Sequence, residues 1–76
     1  MIIKIGKAVD NNFIVNDPHV SRHHAQLIHE EEGWILEDLN STNGTMVNGE
    51  ALSYKERRKL EINDIVQLAD VQYKFV

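Results

Sequence analysis

The chain has 76 residues, no cysteine, and 12 Asp and Glu against 8 Lys and Arg, for a net charge of −4. That length gives one domain with one core over residues 1–76, and the lack of cysteine excludes disulfides, thiol nucleophiles and Cys-ligated zinc. The acidic balance argues against nucleic acid as the partner, because a duplex binder needs a broad basic face. A hydrophobic share of 42% is that of a folded globular chain. No apolar run approaches the roughly 20 residues of a membrane span, and no signal-peptide pattern opens the chain. The expectation is a cytoplasmic domain without direct membrane contact.

In chain order, short strand-like runs alternate with turn signals, and no long helical period appears. Ile2–Ile5 reads as a strand stopped by Gly6, and Phe13–Val15 as a second between two Asn/Asp clusters. Ala25–Glu30 is a third with imperfect alternation, paired through a turn at Gly33 with Trp34–Asp38. Residues 40–44, Asn-Ser-Thr-Asn-Gly, carry the densest turn signal. Thr45–Val47 and Glu50–Leu52 flank Asn48-Gly49, a strong two-residue hairpin turn. Lys59–Ile62, Ile65–Leu68 and Gln72–Val76 complete nine strands, while Tyr54–Lys59 could coil into one helical turn. Such a series predicts an all-β sandwich with its function in the loops. Trp34 reads as core. The runs Glu30-Glu31-Glu32 and Lys55 with Arg57-Arg58-Lys59 read as solvated charge.

Three polar loops, Gly6–Asn12, Asn16–His24 and Leu39–Gly44, hold groups that suit a tetrahedral anion. Lys7 offers an ammonium, Arg22 a guanidinium, and Ser21 and Thr42 hydroxyls; Asn43 both donates and accepts. Ser21 and His24 also have the residue types of a nucleophile and its base, with Asp17 or Asp38 as third member. No nucleophile-elbow pattern accompanies them, and His24 runs straight into a strand, so bracing is its simpler role. The four histidines do not make a metal site, because His23 and His24 are adjacent and point apart and no cysteine assists.

Val20-Ser21-Arg22-His23-His24-Ala25, then Asp38-Leu39-Asn40-Ser41-Thr42-Asn43-Gly44-Thr45, then Val47-Asn48-Gly49 closely resemble the forkhead-associated (FHA) domain signature. The likeness extends from Gly6-Lys7 and Asn11-Asn12-Phe13-Ile14 to Leu60–Val66, in order and spacing, over essentially the whole chain. It implies an FHA-like (SMAD/FHA-type) β-sandwich of two twisted, mainly antiparallel sheets with ligand loops at one end. It further implies a non-catalytic signalling module, without cofactor or metal, whose partner is a phosphothreonine-containing protein or peptide modified by a Ser/Thr kinase. By position, Ser21 and Arg22 match phosphate contacts, Thr42 matches a loop residue contacting the phosphate or the threonine environment, and Asn43 matches a contact to the peptide backbone. Gly6, His24 and Gly44 match residues that shape the loops. The family usually has Arg where this chain has Lys7, which keeps the charge but loses two-pronged donation. That substitution keeps a phosphate-independent interaction domain as the alternative. Asn63 replaces a common glycine, and Asn tolerates the left-handed backbone which that turn requires.

Overall fold

The computed structural model describes residues 1–76. Nine strands form: β1 Ile2–Gly6, β2 Phe13–Ile14, β3 Ala25–Glu30, β4 Gly33–Asp38, β5 Thr45–Val47, β6 Glu50–Ala51, β7 Arg58–Lys59, β8 Ile65–Leu68 and β9 Val71–Lys74. One sheet has the order β2-β1-β3-β4-β7 and the other β6-β5-β8-β9. Every pairing is antiparallel except β1 with β2. The all-β, two-sheet architecture expected from the sequence is the one that forms, and no helix is long and apolar enough to cross a membrane.

The core lies between the sheets and is built from inward positions of both, including Ile5, Ala25, Leu36, Val47, Val66 and Leu68. The imperfect alternation of β3 has a simple origin. Ile2, Ile28 and Ile35 pair in register across β1, β3 and β4, with Lys59 next in the row, so an apolar strip covers the outer face as well. Trp34 is a correction. It is half-buried and lies outside the main cluster, stacked on its cross-strand partner His29 with ring centroids 4.5 Å apart. The pair sits next to the β3–β4 turn, one register step from Glu30 and Gly33.

Several strand boundaries and one local element also differ from expectation: β1 and β4 each take in a glycine, Gly6 and Gly33, and β2 and β6 each end one residue early, at Ile14 and Ala51. β7 occupies Arg58–Lys59 rather than residues 59–62. Leu60 makes the last bond to β4, its N–H to the Trp34 carbonyl at 2.9 Å. The next N–H, of Glu61, is captured by the Asp64 carboxylate at 2.8 Å, while the Asp64 N–H returns to the Glu61 carbonyl at 3.1 Å. A turn built by a side chain therefore outcompetes the apolar run. β9 begins at Val71 because Ala69-Asp70 is a two-residue connection joining paired Leu68 and Val71. No helical turn forms over 54–59, where Lys55 has φ +70°. Asn63 has φ +79°, the left-handed conformation anticipated for it, and Asn48-Gly49, at φ +51° and +83°, has the positive angles of a type I′ hairpin turn.

The register also gathers the loops. Ile5 pairs with Ala25 and Ala25 with Asp38, so β1 ends, β3 begins and β4 ends in one cross-strand row. In the facing sheet Thr45 pairs with Leu68 at the same end. Residues 7–12, 16–24 and 39–44 therefore all leave the sandwich from one edge.

Candidate functional site

The buried polar residues are Asn11, His24, Asp38 and Thr45, and all four belong to or border these loops. The body of the sandwich is apolar; its loop end is pinned by hydrogen bonds.

His24 is fully buried at the centre. Its Nδ1 lies 3.0 Å from the Ser21 N–H, and its Nε2 lies 2.8 Å from the Gly44 carbonyl oxygen. An amide can only donate and a carbonyl can only accept, so the imidazole carries its proton on Nε2 and accepts through Nδ1. One neutral ring thus joins the second loop to the third. Both nitrogens are occupied, which leaves none to act as a base toward the Ser21 hydroxyl. The Ser21 Oγ in turn accepts the Thr42 N–H at 3.0 Å, and the proton of the Ser21 hydroxyl is free to point outward.

Gly6 and Asn11 tie the first loop to the second. The Lys7 N–H donates to the Ser21 carbonyl at 3.0 Å, and the Ala8 N–H to the Arg22 carbonyl at 3.1 Å. The Asn11 Nδ2 donates to the carbonyls of Ala8 and Arg22 at 2.8 and 2.7 Å. Gly6 allows this approach, because a Cβ there would stand 2.2 Å from the Arg22 carbonyl oxygen. At Gly44 the requirement is conformational instead: φ is +86°, and a Cβ there would meet nothing within 4 Å.

Asp38 organises the third loop. Its Oδ1 accepts the hydroxyls of Ser41 and Thr45, each at 2.6 Å, and its Oδ2 accepts the Ser41 N–H at 3.0 Å. Ser41 Oγ accepts the Gly44 N–H at 3.0 Å and completes the turn. Burial pulls the Asp38 carboxyl upward, but the bonds from Ser41 and Thr45 outweigh it and leave the group below the ordinary range. A depressed carboxyl contributes stability above its unfolded pKa and loses it as pH falls through the folded value. The expected outcome is a loop end that loosens below about pH 4. Asp38→Asn should cost about 2 kcal/mol at neutral pH, through loss of charge-assisted bonds, and should flatten the acid limb of a stability–pH curve.

The sequence-predicted residues sit as follows. Lys7, Arg22 and Thr42 are exposed and Ser21 is half-buried. Lys7 and Arg22 line one open cleft with Ala8, Val9 and Asp10. Ser21 is joined by backbone to Lys7 and by its hydroxyl to Thr42. Arg57 and Arg58 each contact two carboxylates, Glu30 with Glu37 and Glu50 with Glu56, whereas no carboxylate pairs with Lys7 or Arg22. Asn43 donates its Nδ2 to the His19 carbonyl at 2.7 Å, bracing the second loop and leaving its Oδ1 to accept. Sequence reasoning missed Asn11, Ser41 and Thr45, and gave Asp38 no bracing role. The one local signal was Asp38 three residues before Ser41, the spacing of a side-chain-capped turn.

The FHA domain family model matches residues 3–69. The chain is 30% identical over 69 residues to an FHA domain-containing protein of Arabidopsis thaliana, covering 90% of this chain and 18% of that protein. Among solved structures, the Mycobacterium tuberculosis EmbR protein in complex with a low-affinity phosphopeptide superimposes with a TM-score of 0.88 at 27% identity. The match covers 96% of this chain and 19% of EmbR, so the chain spans less than a fifth of either relative. The N-terminal FHA domain of S. cerevisiae Rad53p, in complex with a phosphothreonine peptide, gives 0.79 at 26% identity over 87% of this chain and 54% of that one. Loops shaped by Gly6, His24 and Gly44 on a two-sheet sandwich, and a family match over nearly the full length, lead to one assignment: the chain belongs to the FHA domain family.

Proposed function

We propose that the loop end binds a phosphothreonine-containing segment of a partner protein and performs no chemistry on it. The carrying observation is that Lys7 and Arg22 stand beside Ser21 without a carboxylate partner, in a protein whose other arginines are each doubly paired. A phosphothreonine brings about −1.5 to −2 charges and three acceptor oxygens. Lys7, Arg22, the free Ser21 hydroxyl proton and Thr42 supply the donors. Asn43, with Oδ1 unspent, accepts a main-chain N–H of the peptide. His24, Gly6 and Gly44 hold the three loops in place without touching the ligand. Both histidine nitrogens being engaged supports binding rather than catalysis. A cysteine-free chain suits a reducing, cytoplasmic setting.

Three or four charge-assisted bonds, less the cost of ordering a peptide, correspond to a dissociation constant near micromolar, or about −8 kcal/mol. The test is calorimetric titration with matched phosphothreonine and unphosphorylated peptides drawn from an oriented library. Ser21→Ala and Arg22→Ala should each weaken phosphopeptide binding by about 10- to 100-fold, from the ~1.5–3 kcal/mol of a charged hydrogen bond, with unchanged circular dichroism. Binding should also fall steeply with added salt. Equal affinity for the unphosphorylated peptide, or affinity indifferent to salt, would point instead to phosphate-independent docking and end this reading.

A further inference from the structure

Asp10 lines the same cleft as Lys7 and Arg22, yet it pairs with neither. Both of its carboxylate oxygens lie 3.0 Å from the Nε2 of His23. This is not what charge alone dictates. Within one cleft a carboxylate and a guanidinium make the stronger, two-pronged pair, and Arg57 and Arg58 show how readily carboxylates settle on the arginines of this chain. His23 holds the carboxylate instead. It follows Arg22 directly and precedes the buried His24, whose bonds to Ser21 and Gly44 fix the backbone. With His24 turned inward, His23 turns outward over the first loop. A carboxylate only accepts, so His23 presents Nε2–H to Asp10, and it can do so whether the ring is neutral or charged.

We propose that His23 is a positioning residue of the anion site, holding the Asp10 carboxylate off Arg22 and Lys7 so that both cations stay open to a ligand. Without this clamp, Asp10 turns into the cleft and serves as an internal competitor for the incoming phosphate. The hydrogen bond from His23, the largest influence on Asp10, holds that carboxyl below its ordinary range; Lys4 contributes more weakly in the same direction. His23 and Lys4 are the groups that bear on the Asp10 charge, Lys7 and Arg22 share its cleft, and His23 alone is bonded to it.

The inference rests on the proposed phosphopeptide function, and two readouts separate their failures. The first is titration of a phosphothreonine peptide into the full chain and into His23→Ala, His23→Gln and the double variant His23→Ala/Asp10→Asn. Because the pair is solvent-exposed, the expected effect is small. His23→Ala should weaken binding by about two- to fivefold, the range of an exposed ion pair. His23→Gln, which retains an N–H donor, should stay near wild type, and the double variant should return to wild-type affinity or better. The second readout needs no peptide: the Arg22 Nε–H resonance should shift in His23→Ala, as Asp10 reaches it, and move back in the double variant. Wild-type protein that ignores every phosphothreonine peptide would end the proposed function while leaving the Arg22 signal to test the clamp. An unshifted Arg22 resonance in His23→Ala, or a double variant binding no better than His23→Ala, would overturn the clamp itself.

Discussion

Replacing Gly6 with alanine is expected to cost about 3 kcal/mol and to lower the melting temperature by roughly 12–24 °C, at about 4–8 °C per kcal/mol for a domain of this size. The added methyl would lie 2.2 Å from the Arg22 carbonyl oxygen, 2.8 Å from its carbon and 3.0 Å from the Asn11 Nδ2. The first two are backbone atoms and cannot rotate aside. Relief requires moving the end of β1 away from the Ser21–Arg22 segment by an ångström or more. That movement stretches three bonds at once: Lys7 N–H to Ser21, Ala8 N–H to Arg22, and Asn11 to Arg22. Each contributes about 1 kcal/mol, and the strain adds to them. Gly44→Ala supplies the contrast, because its backbone is left-handed but the space around it is open, so the cost there should be about 1 kcal/mol. Thermal unfolding of the two variants side by side decides the matter. Gly6→Ala melting within a few degrees of wild type would show that the loops are not closely packed.

The second large effect is expected at His24. Truncation to alanine removes the one group that bonds both Ser21 and Gly44, opens a cavity at a site with no solvent exposure, and leaves an amide and a carbonyl without their partner. Cavity and lost bonds together give about 3 kcal/mol. A merely space-filling role would be rescued by leucine, whereas a bonding role would not be. Denaturant unfolding of His24→Ala and His24→Leu, followed by amide exchange at Ser21 and Thr42, distinguishes the two. Should leucine restore wild-type stability and protection, the hydrogen-bonded hub is wrong. Phosphopeptide binding should be lost in both variants, because the Ser21 segment is no longer held against the third loop.

The strands were legible because they follow from local chemistry. Asn48-Gly49 demands positive φ at two successive residues and receives it. Asn63 occupies a left-handed position that its side chain tolerates. What sequence could not supply was competition between a strand and a distant or side-chain partner. β7 ends early because Asp64 captures the Glu61 N–H, a bond with no periodic signature. Trp34 reads as core in the sequence, but it pairs with His29 beside the hairpin turn and stacks on that ring instead of joining the main cluster. For the site, the loop identities were legible through ordered blocks of residues. The bonds that join those blocks were not. Asn11 reaches 11 residues to Arg22, His24 spans 20 to Gly44, and Asp10 meets His23 across 13. Each depends on the register that brings Ile5, Ala25 and Asp38 abreast.

The segregation of buried polar residues to one end has a consequence for how the domain comes apart. Its two halves respond to different solvents. The apolar body is held by water exclusion and resists acid, whereas the rim depends on the Asp38 carboxylate, whose bonds to Ser41 and Thr45 a proton weakens. Acidification is therefore expected to loosen the rim before the ladder of strands, so that the proposed recognition would be extinguished in a molecule that still has its fold.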